Sequence, residues 1–204
     1  MDSSEPSIVY EPREDSALLQ RVIRDFFITH PGIHAETGLD MGTGSGILAL
    51  TLCNYCREVL AVDVNPTAVD ATLQAAEKEH ATNLTVSLSD LFSTATGIFD
   101  IIVFNPPYLP FDPQSDAKDI ALSAAPDDAK ANATNVTKGN ELIIKFVKEA
   151  KTHLSATGNI LLLFSSLSSP QEILEEIKTT GFLNELLATE KHFMEELYVY
   201  HLWC

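Results

Sequence analysis

Four consecutive residues, Asn-Pro-Pro-Tyr at positions 105–108, carry the groups of this chain that are best suited to chemistry. They follow the apolar run 99–104, which predicts a strand. Proline fixes φ and pushes the residue before it toward an extended conformation, so the strand is expected to end in a stiff turn. Such a turn presents an amide, a carbonyl and a flat ring at one rim of a sheet. This set suits the alkylation of a planar, weakly nucleophilic nitrogen.

An amide nitrogen is a poor nucleophile because its lone pair is delocalised into the carbonyl group. The side-chain oxygen of Asn105 and the backbone carbonyl of Pro106 can each accept one N–H of such a nitrogen, which orients it and favours the charge that builds there. Tyr108 can stack on the planar acceptor. We therefore predict that Asn105, Pro106 and Tyr108 are catalytic. The alternative is that the tetrapeptide is only a tight strand exit.

A glycine-rich loop upstream could hold the alkyl donor. Residues 39–46 read Leu-Asp-Met-Gly-Thr-Gly-Ser-Gly and link a predicted strand to a predicted helix. Alternating glycines let the backbone turn sharply and approach a ligand, and the helix N-terminus adds free N–H groups. Asp40, before the turn, suits a cationic ligand group. Dinucleotide sites use the same architecture, so the loop alone is ambiguous. The predicted loop contacts are Gly42, Gly44 and Gly46.

Two further acids end the next two predicted strands. Asp63 can accept both hydroxyls of a ribose, and Asp90 can accept an exocyclic amine while apolar neighbours such as Leu91 cover a purine ring. Together with Asp40 they predict an adenosine pocket at the ends of successive strands. Asn105 is also predicted to be one of the donor-binding residues. A dinucleotide would need its pyrophosphate neutralised or caged, whereas a sulfonium donor carries a positive charge. The residues therefore favour S-adenosylmethionine over NAD.

Apolar runs alternate with amphipathic stretches along the chain, which predicts βαβ units. The predicted fold is a doubly wound α/β domain with a seven-stranded, mostly parallel sheet and an antiparallel C-terminal edge. Its ligand should lie at the carboxyl ends of the central strands. The predicted strands are 37–41, 58–64, 83–88, 99–104, 159–165, 182–189 and 197–203, and the predicted helices are 16–28, 45–55, 66–80, 138–154 and 170–180.

Length and composition predict a single domain over residues 1–204, with an N-terminal segment and helix at 1–30. The stretch 109–137, rich in Pro, Asp, Ala and Ser, is expected to be a substrate-binding or flexible loop. Neither a signal peptide nor a membrane span is expected, so the prediction is a cytoplasmic protein. The pair Cys53 and Cys56 lies in an apolar segment predicted to be helical core, and no metal site is expected.

The chain is strongly acidic, with 29 acids, 13 bases and a formal charge of −16. Such a surface repels phosphate backbones, so DNA and RNA are poor expected partners. Most of these acids are interpreted as solubilising charges. The more specific alternative is that some of these acids bind a basic partner or a basic substrate.

These residues resemble the HemK-like protein-glutamine methyltransferases, which modify class I peptide chain release factors. The resemblance covers about Tyr10 to Phe164 and implies a Rossmann-like class I S-adenosylmethionine-dependent methyltransferase fold. Residues 10–16 are similar to the family's Tyr-Glu-Pro-x-x-Asp-Thr segment, with Ser16 in the threonine place. By this resemblance Ser16 binds the carboxylate end of the donor. Asp40 stands where the family usually has glutamate, and the direct matches are Asp63, Asp90 and Asn105 to Tyr108.

The short N-terminus resembles the eukaryotic and archaeal branch of the family, whose members work with a small zinc-binding activator protein. The resemblance implies the catalytic subunit of a heterodimer that methylates the glutamine of the Gly-Gly-Gln motif in the eukaryotic-type release factor. The alternating segment Asn83–Leu88 predicts an edge strand, which a partner strand could cover. Solvent and charges could cover it instead.

One departure from the family concerns acceptor selection. Relatives usually carry a tryptophan and a Gly-Gly element after the Asn-Pro-Pro-Tyr motif, and residues 109–137 have neither. Gly139-Asn140-Glu141 resembles the distal end of that element.

Other functions remain open at this point. The Asn-Pro-Pro-Tyr motif also suits methylation of adenine in DNA or guanine in ribosomal RNA, although the negative charge disfavours both. Protein lysine is another acceptor that relatives suggest, but two acceptor carbonyls suit an amide better. A non-catalytic scaffold with the same fold would be expected to lose the glycine loop or Asn105, and the chain retains both.

Overall fold

A seven-stranded sheet organises the part of the chain that the computed structural model describes, residues 14–109 and 138–204. The strands are β1 (Ala35–Met41), β2 (Cys56–Asp63), β3 (Leu84–Leu88), β4 (Phe99–Phe104), β5 (Leu154–Ser165), β6 (Leu183–Lys191) and β7 (Glu196–Trp203). The helices are α1 (Glu14–Thr29), α2 (Ile47–Leu52), α3 (Pro66–Lys78), α4 (Glu141–Ala150) and α5 (Pro170–Thr180), with a 3₁₀ turn at Lys151–His153.

The strand order is β3-β2-β1-β4-β5-β7-β6. Strands β1 to β5 pair in parallel, and β7 pairs antiparallel with both β5 and β6. The predicted α/β fold with an antiparallel C-terminal edge is confirmed. The chain order reverses between β1 and β4, and in doubly wound sheets the ligand crevice lies at such a switch point.

The middle of the sheet is buried on both faces, as parallel strands require. Ile101, Ile102 and Val103 of β4 have no exposed surface. Helix α1 packs an apolar stripe on one face of the sheet, and Ile143, Phe146 and Val147 of α4 are fully buried. The strand exits are therefore held by a rigid core rather than by mobile loops. The stripe of α1 consists of Leu18, Leu19, Val22, Ile23 and Phe26.

The ends of two helices follow from local sequence. Asn65 caps α3, because its side chain accepts a hydrogen bond from the Thr67 N–H at 2.9 Å, and Pro66 occupies the first helical position. Gly181 ends α5 with φ of +84°, a conformation that favours glycine. Both boundaries match the sequence prediction.

The prediction of a helix at 45–55 is wrong at its C-terminal end. Helix α2 ends at Leu52, Cys53 caps it, and Cys56 is the first residue of β2, so the cysteine pair does not lie within helical core. The amide of Asn83 donates to the carbonyl oxygens of Cys53 and Cys56 at 3.1 and 3.0 Å. Asn83 lies about thirty residues further along the chain. Its amide satisfies backbone carbonyls that would have accepted N–H groups of the helix itself if α2 were longer.

The predicted helix at 138–154 is also too long. Helix α4 ends at Ala150, and Leu154 already belongs to β5, where it pairs with Phe99. A Cβ on Gly158 would lie 2.6 Å from the Leu154 side chain. The absence of a side chain at Gly158 thus lets Leu154 fold against the strand, and the strand begins five residues earlier than predicted.

Strand β3 lies at the edge of the sheet, as predicted for 83–88. Its Leu88 side chain is half exposed. The predicted loop 109–137, apart from Leu109, lies outside the described residues, as do residues 1–13.

Two further features concern the described part of the chain. None of its helices combines the length and the apolar character needed to cross a membrane. Within residues 14–109 and 138–204, no group of three or more His, Cys, Asp or Glu side chains is placed to hold a metal ion.

His201 on β7 is expected to make stability fall in acid. Its Nε2 lies 2.8 Å from the Asn159 Oδ1, and burial together with the nearby His30 lowers the pKa of His201 to about 4. In the unfolded chain a histidine takes up a proton near pH 6.5. Between these two values the unfolded state binds more protons, so the free energy of unfolding decreases as the pH falls.

The measurement is urea unfolding of the wild type and His201→Gln between pH 7 and pH 4. We expect the wild type to lose up to about 1.4 kcal/mol per pH unit more than the variant, the value for one proton. Equal losses in the two proteins would contradict this role of His201.

Candidate functional site

The candidate site begins where three neighbouring strands end. Met41 of β1 pairs with Val62 of β2 on one side and with Phe104 of β4 on the other. The segments after these strands therefore start side by side at one edge of the sheet. They contain the glycine loop, Asp63 and the Asn-Pro-Pro-Tyr motif.

The glycine loop adopts the backbone conformation that its composition predicts. Gly42, Gly44 and Gly46 have φ values of +66°, +55° and +83°. The loop closes onto β2, because the Thr43 N–H donates to the Val62 carbonyl at 2.9 Å. A Cβ on Gly44 would meet no atom of residues 14–109 or 138–204 within 4 Å, so this part of the structure leaves space open beside the loop.

Thr72 on α3 holds the glycine loop from behind, and the sequence did not single it out. Its side chain is fully buried, and its hydroxyl donates to the Gly44 carbonyl at 3.2 Å. A Cβ added to Gly46 would lie 3.0 Å from the methyl carbon of Thr72. A threonine in an amphipathic helix gives no local signal of this contact, since it depends on how α3 packs.

Asp40 is fully buried beneath the loop. Its Oδ2 accepts hydrogen bonds from the Thr43 hydroxyl at 2.7 Å and from the Ala49 N–H at 2.9 Å. Its Oδ1 is buried and has no hydrogen-bond partner among the described residues. The pKa of Asp40 is raised to about 7, chiefly because the side chain is buried; the two hydrogen bonds oppose this rise and the charge of Asp63 adds to it. A cationic donor beside Oδ1 would satisfy that oxygen and favour the charged carboxylate.

Asp63 joins the glycine loop to the start of α3. Its Oδ2 accepts from the Gly44 N–H and its Oδ1 accepts from the Asn65 N–H, both at 2.9 Å. Burial raises the pKa of Asp63, and hydrogen bonds from Asn65, Gly44 and Val64 oppose that effect. Each carboxylate oxygen keeps a second lone pair, so the predicted contact with two ribose hydroxyls is compatible with these bonds.

Asp90 and Leu91 follow β3 at the same edge of the sheet. Asp90 is exposed and forms an ion pair with Lys145 of α4, with Nζ 3.3 Å from Oδ1. Leu91 is buried and has a φ of +47°, an uncommon value for a branched side chain. Of the predicted donor-site acids, Asp90 is therefore the most accessible to solvent.

Asn105 presents one satisfied and one unsatisfied polar group. Its Nδ2 donates to the Ser16 hydroxyl at 3.3 Å. Its Oδ1 is buried without a hydrogen-bond partner in the described part of the chain. Pro106, next in the motif, is buried. Buried polar atoms without partners are rare in folded proteins, so Asn105 Oδ1 calls for a group that donates to it.

The N-terminus of α1 holds the motif in place. The Tyr108 hydroxyl lies 3.4 Å from Asp15 Oδ2, and Asp15 Oδ1 accepts from the Ser16 N–H at 2.6 Å. Tyr108 is buried, and its predicted stacking on an acceptor stays a prediction. Ser16 was predicted as a site residue by resemblance, whereas Asp15 was not. The same resemblance contained Asp15, so that signal was available.

The structure therefore brings most of the predicted residues to one edge. Two of the four buried polar atoms without a partner in the described ranges belong to predicted site residues, Asp40 Oδ1 and Asn105 Oδ1. One suits a cation and the other suits an N–H donor. The glycine loop covers Asp40, and the ring of Phe104, the residue before Asn105, lies 3.4 Å from the position of a Cβ on Gly42.

Comparison with protein families and sequences gives a consistent result. The family profile described as the methyltransferase small domain matches residues 16–131, more than half of the chain. A candidate protein N5-glutamine methyltransferase of Methanocaldococcus jannaschii is 34% identical over 96% of this chain and 91% of the relative. Methyltransferase HEMK2 of Homo sapiens is 31% identical over 86% of this chain and 80% of the relative.

Solved structures share the fold. The E. cuniculi Mtq2–Trm112 complex, described as responsible for methylation of the eRF1 translation termination factor, matches with a TM-score of 0.67 at 22% identity. That match covers 95% of this chain and 97% of the other chain. The ribosomal protein L11 methylase of Lactobacillus delbrueckii matches with a TM-score of 0.66 at 17% identity, covering 98% and 84% of the two chains.

Gly46→Ala is expected to destabilise the protein by about 2 kcal/mol, because a side chain at positive φ costs roughly 1–2 kcal/mol and the new Cβ would crowd Thr72. Urea unfolding measures the loss. Gly32→Ala is the matched control, since Gly32 has no neighbour within 4 Å and no positive φ, and its effect should stay within about 0.5 kcal/mol.

Thr72→Ser in the Gly46→Ala background should recover part of the stability, since it removes the methyl group nearest the new Cβ. If Gly46→Ala and Gly32→Ala had the same free energy of unfolding, the loop would not need the left-handed conformation of Gly46.

Proposed function

Since the chain belongs to the protein-glutamine methyltransferases that carry the methyltransferase small domain, we propose that it methylates the side-chain amide nitrogen of a glutamine, with S-adenosylmethionine as the methyl donor. One observation carries the proposal. Asn105 Oδ1 is a buried acceptor without a partner in the described residues, at the end of β4. A substrate amide N–H is the group that would satisfy it.

The acceptor amide would be held by the turn after β4. Asn105 Oδ1 accepts one N–H and the Pro106 carbonyl accepts the other, which leaves the nitrogen lone pair directed away from both acceptors. Positive charge develops on this nitrogen as the new bond forms, and the two oxygens stabilise it. Because Asn105 is held by Ser16 and Tyr108 by Asp15, this geometry is organised before the substrate arrives.

The donor would be held by the segments after β1, β2 and β3. Asp40 Oδ1 would meet the ammonium group, Asp63 would accept the ribose hydroxyls, and the exposed side of the loop at Gly44 would allow close approach of the ligand. Ser16 would contact the carboxylate end, and Asp90 with Leu91 the adenine ring. The remaining glycines, Gly42 and Gly46, shape the loop through their positive φ values.

When bound, S-adenosylmethionine supplies an electrophilic methyl group on a sulfonium. During transfer, Asn105 Oδ1 and the Pro106 carbonyl would hold the amide nitrogen while its bond to the methyl carbon forms. The carbon–sulfur bond of the donor would break, and its electron pair would stay with the sulfur. The nitrogen then releases its extra proton to solvent. No side chain has to act as a base before transfer, which agrees with the lack of a histidine or lysine in the Asn-Pro-Pro-Tyr motif.

The acceptor we propose is the glutamine of the Gly-Gly-Gln motif in the eukaryotic-type class I release factor. Support comes from the E. cuniculi complex, whose description names the eRF1 termination factor, and from the glutamine methyltransferases among the relatives. The formal charge of −16 disfavours adenine in DNA and guanine in ribosomal RNA.

We also propose that the chain works as the catalytic subunit of a heterodimer with a small zinc-binding activator. The E. cuniculi neighbour was solved as a two-protein complex. In the described part of the chain β3 is an edge strand, and Leu88 on it is 51% exposed. An added strand from the partner would pair the free backbone groups and cover this side chain.

The Asn105→Ala variant tests the acceptor role. In the purified heterodimer with methyl-labelled donor and the release factor, we expect kcat to fall at least 10²–10³-fold, the usual loss for one charge-stabilising group. Donor affinity, measured by calorimetry, should stay within about threefold. Label that enters duplex DNA or ribosomal RNA but not the release factor would overturn the proposed function, and loss of donor binding in Asn105→Ala would overturn its assigned role.

Asp63→Ala is the matched comparison on the donor side. It should weaken donor binding by about 10- to 100-fold, because it removes hydrogen bonds to a carboxylate. The donor affinity of Asp63→Asn should lie between those of the wild type and Asp63→Ala, because asparagine keeps an acceptor for the Gly44 N–H.

Donor affinity is expected to rise with pH up to about 7. The pKa of Asp40 is raised to about 7 in the free protein, and the ammonium group binds the charged carboxylate. Below this pH, binding must first remove a proton from Asp40, so affinity falls by up to about tenfold per pH unit. Calorimetry at pH 5.5 to 8 measures the trend. Methylthioadenosine, which lacks the ammonium group, should not show it, and equal trends for both ligands would contradict the role of Asp40.

A further inference from the structure

The tip of the β6–β7 hairpin exposes two large apolar side chains. Phe193 is 98% exposed and Met194 is 76% exposed. Leu167, in the turn after β5, is also exposed, and this turn is hydrogen-bonded to the base of the hairpin. We call Leu167, Phe193 and Met194 the hairpin patch. Exposed apolar side chains that cluster, methionine among them, occur at surfaces that bind a partner, whereas single ones are common on any protein surface.

The hairpin patch lies at the same edge of the sheet as the candidate site. Leu197 at the start of β7 pairs with Ser165 at the end of β5, so the hairpin emerges beside the carboxyl end of β5. Strand β5 is the direct neighbour of β4, whose end leads into Asn105. At roughly 4.8 Å per strand, β7 and β6 lie about 10–15 Å across the sheet from β4.

The tip is supported by a hydrogen-bonded base. The Ser166 N–H donates to the Glu196 carbonyl at 2.8 Å, and the Glu196 N–H donates back to the Ser166 hydroxyl at 3.0 Å. The buried Ser165 hydroxyl donates to the Glu195 carboxylate, and the His192 N–H closes the turn on the Glu195 carbonyl at 2.8 Å. The apolar side chains are therefore displayed from a fixed position.

We propose that the hairpin patch is a docking surface for the acceptor protein, which places an apolar side chain against Phe193 and Met194 while its glutamine occupies the cleft at Asn105. This inference rests on the proposed function. A stable protein interface buries about 800 Å² on each partner, far more than one glutamine side chain supplies, so surface beyond the cleft must take part. An extended chain spans 10–15 Å in about three to five residues, which matches the distance from Asn105 to the hairpin.

The charges around the patch favour an apolar contact over a basic one. Glu190 is engaged by Arg21 at 2.9 Å and lies 3.4 Å from His192, and Glu195 accepts from Ser165. Arg21 thus offsets the charge of Glu190, and the Glu195 carboxylate is turned toward the base of the hairpin, so Phe193 and Met194 are the most exposed side chains at the tip. The proposed activator is not the occupant, because β3 lies at the opposite end of the sheet from the hairpin.

The test is steady-state methylation of the release factor by the heterodimer carrying Phe193→Ser and Met194→Ser together. Both side chains are exposed, so the fold should survive the change. We expect the KM for the release factor to rise at least tenfold, while kcat at saturation and the dissociation constant of the donor stay within twofold. Ile98→Ser is the matched control, since Ile98 is 55% exposed just before β4, at the opposite edge of the sheet.

Each outcome has one meaning. An unchanged KM, or an equal rise in Ile98→Ser, overturns the docking surface and leaves the proposed function standing. A fall in kcat or in donor affinity shows a structural effect and also overturns it. Sedimentation could show that the wild type is a dimer and that the double variant is not, with KM unchanged. That result would overturn the docking of the acceptor protein and assign the patch to a second copy of this chain. A wild type that leaves the release factor unlabelled overturns the proposed function and this inference with it.

Discussion

The parallel register of β1 between β2 and β4 is the constraint on which the site depends. Because Met41 pairs with both Val62 and Phe104, the three chain segments that leave these strands start at one level. The Gly44 N–H can then donate to the Asp63 carboxylate, and Asn105 directly follows Phe104, whose ring lies 3.4 Å from the position of a Cβ on Gly42. A one-residue slip of β4 would send alternate side chains to the other face of the sheet and bury a different set against α4.

The candidate site contains two buried oxygen atoms, Asp40 Oδ1 and Asn105 Oδ1, that have no hydrogen-bond partner in the described residues. Asp40 is held under the loop with one oxygen bonded and one free of partners in the described ranges, and Asn105 shows the same division between its two polar atoms. Folding alone would favour satisfying both. In the proposed reaction these are the atoms that meet the donor and the acceptor. The surrounding apolar strands keep water away from them and so strengthen each electrostatic contact.

The sheet separates the proposed interactions along its width. Within the described residues β3 forms one edge of the sheet, the candidate site lies in the middle at the ends of β1 and β4, and the β6–β7 hairpin displays apolar side chains at the other edge. An activator on β3 and an acceptor protein on the hairpin would not compete for surface. The antiparallel return of β7 makes this possible, because it brings the hairpin back to the edge where the parallel strands end.

Local patterns in the sequence were enough to predict the α/β fold, the edge position of β3, the stiff exit after β4 and the sharp turn of the glycine loop, since each depends on neighbouring residues. Tertiary structure alone decided that Asn83 satisfies the Cys53 and Cys56 carbonyls after α2, and that Leu154 joins β5. It also decided that Thr72 supports the glycine loop and that Phe193 lies at the site's edge of the sheet. These features join residues that are distant in the chain, and no local propensity encodes such contacts.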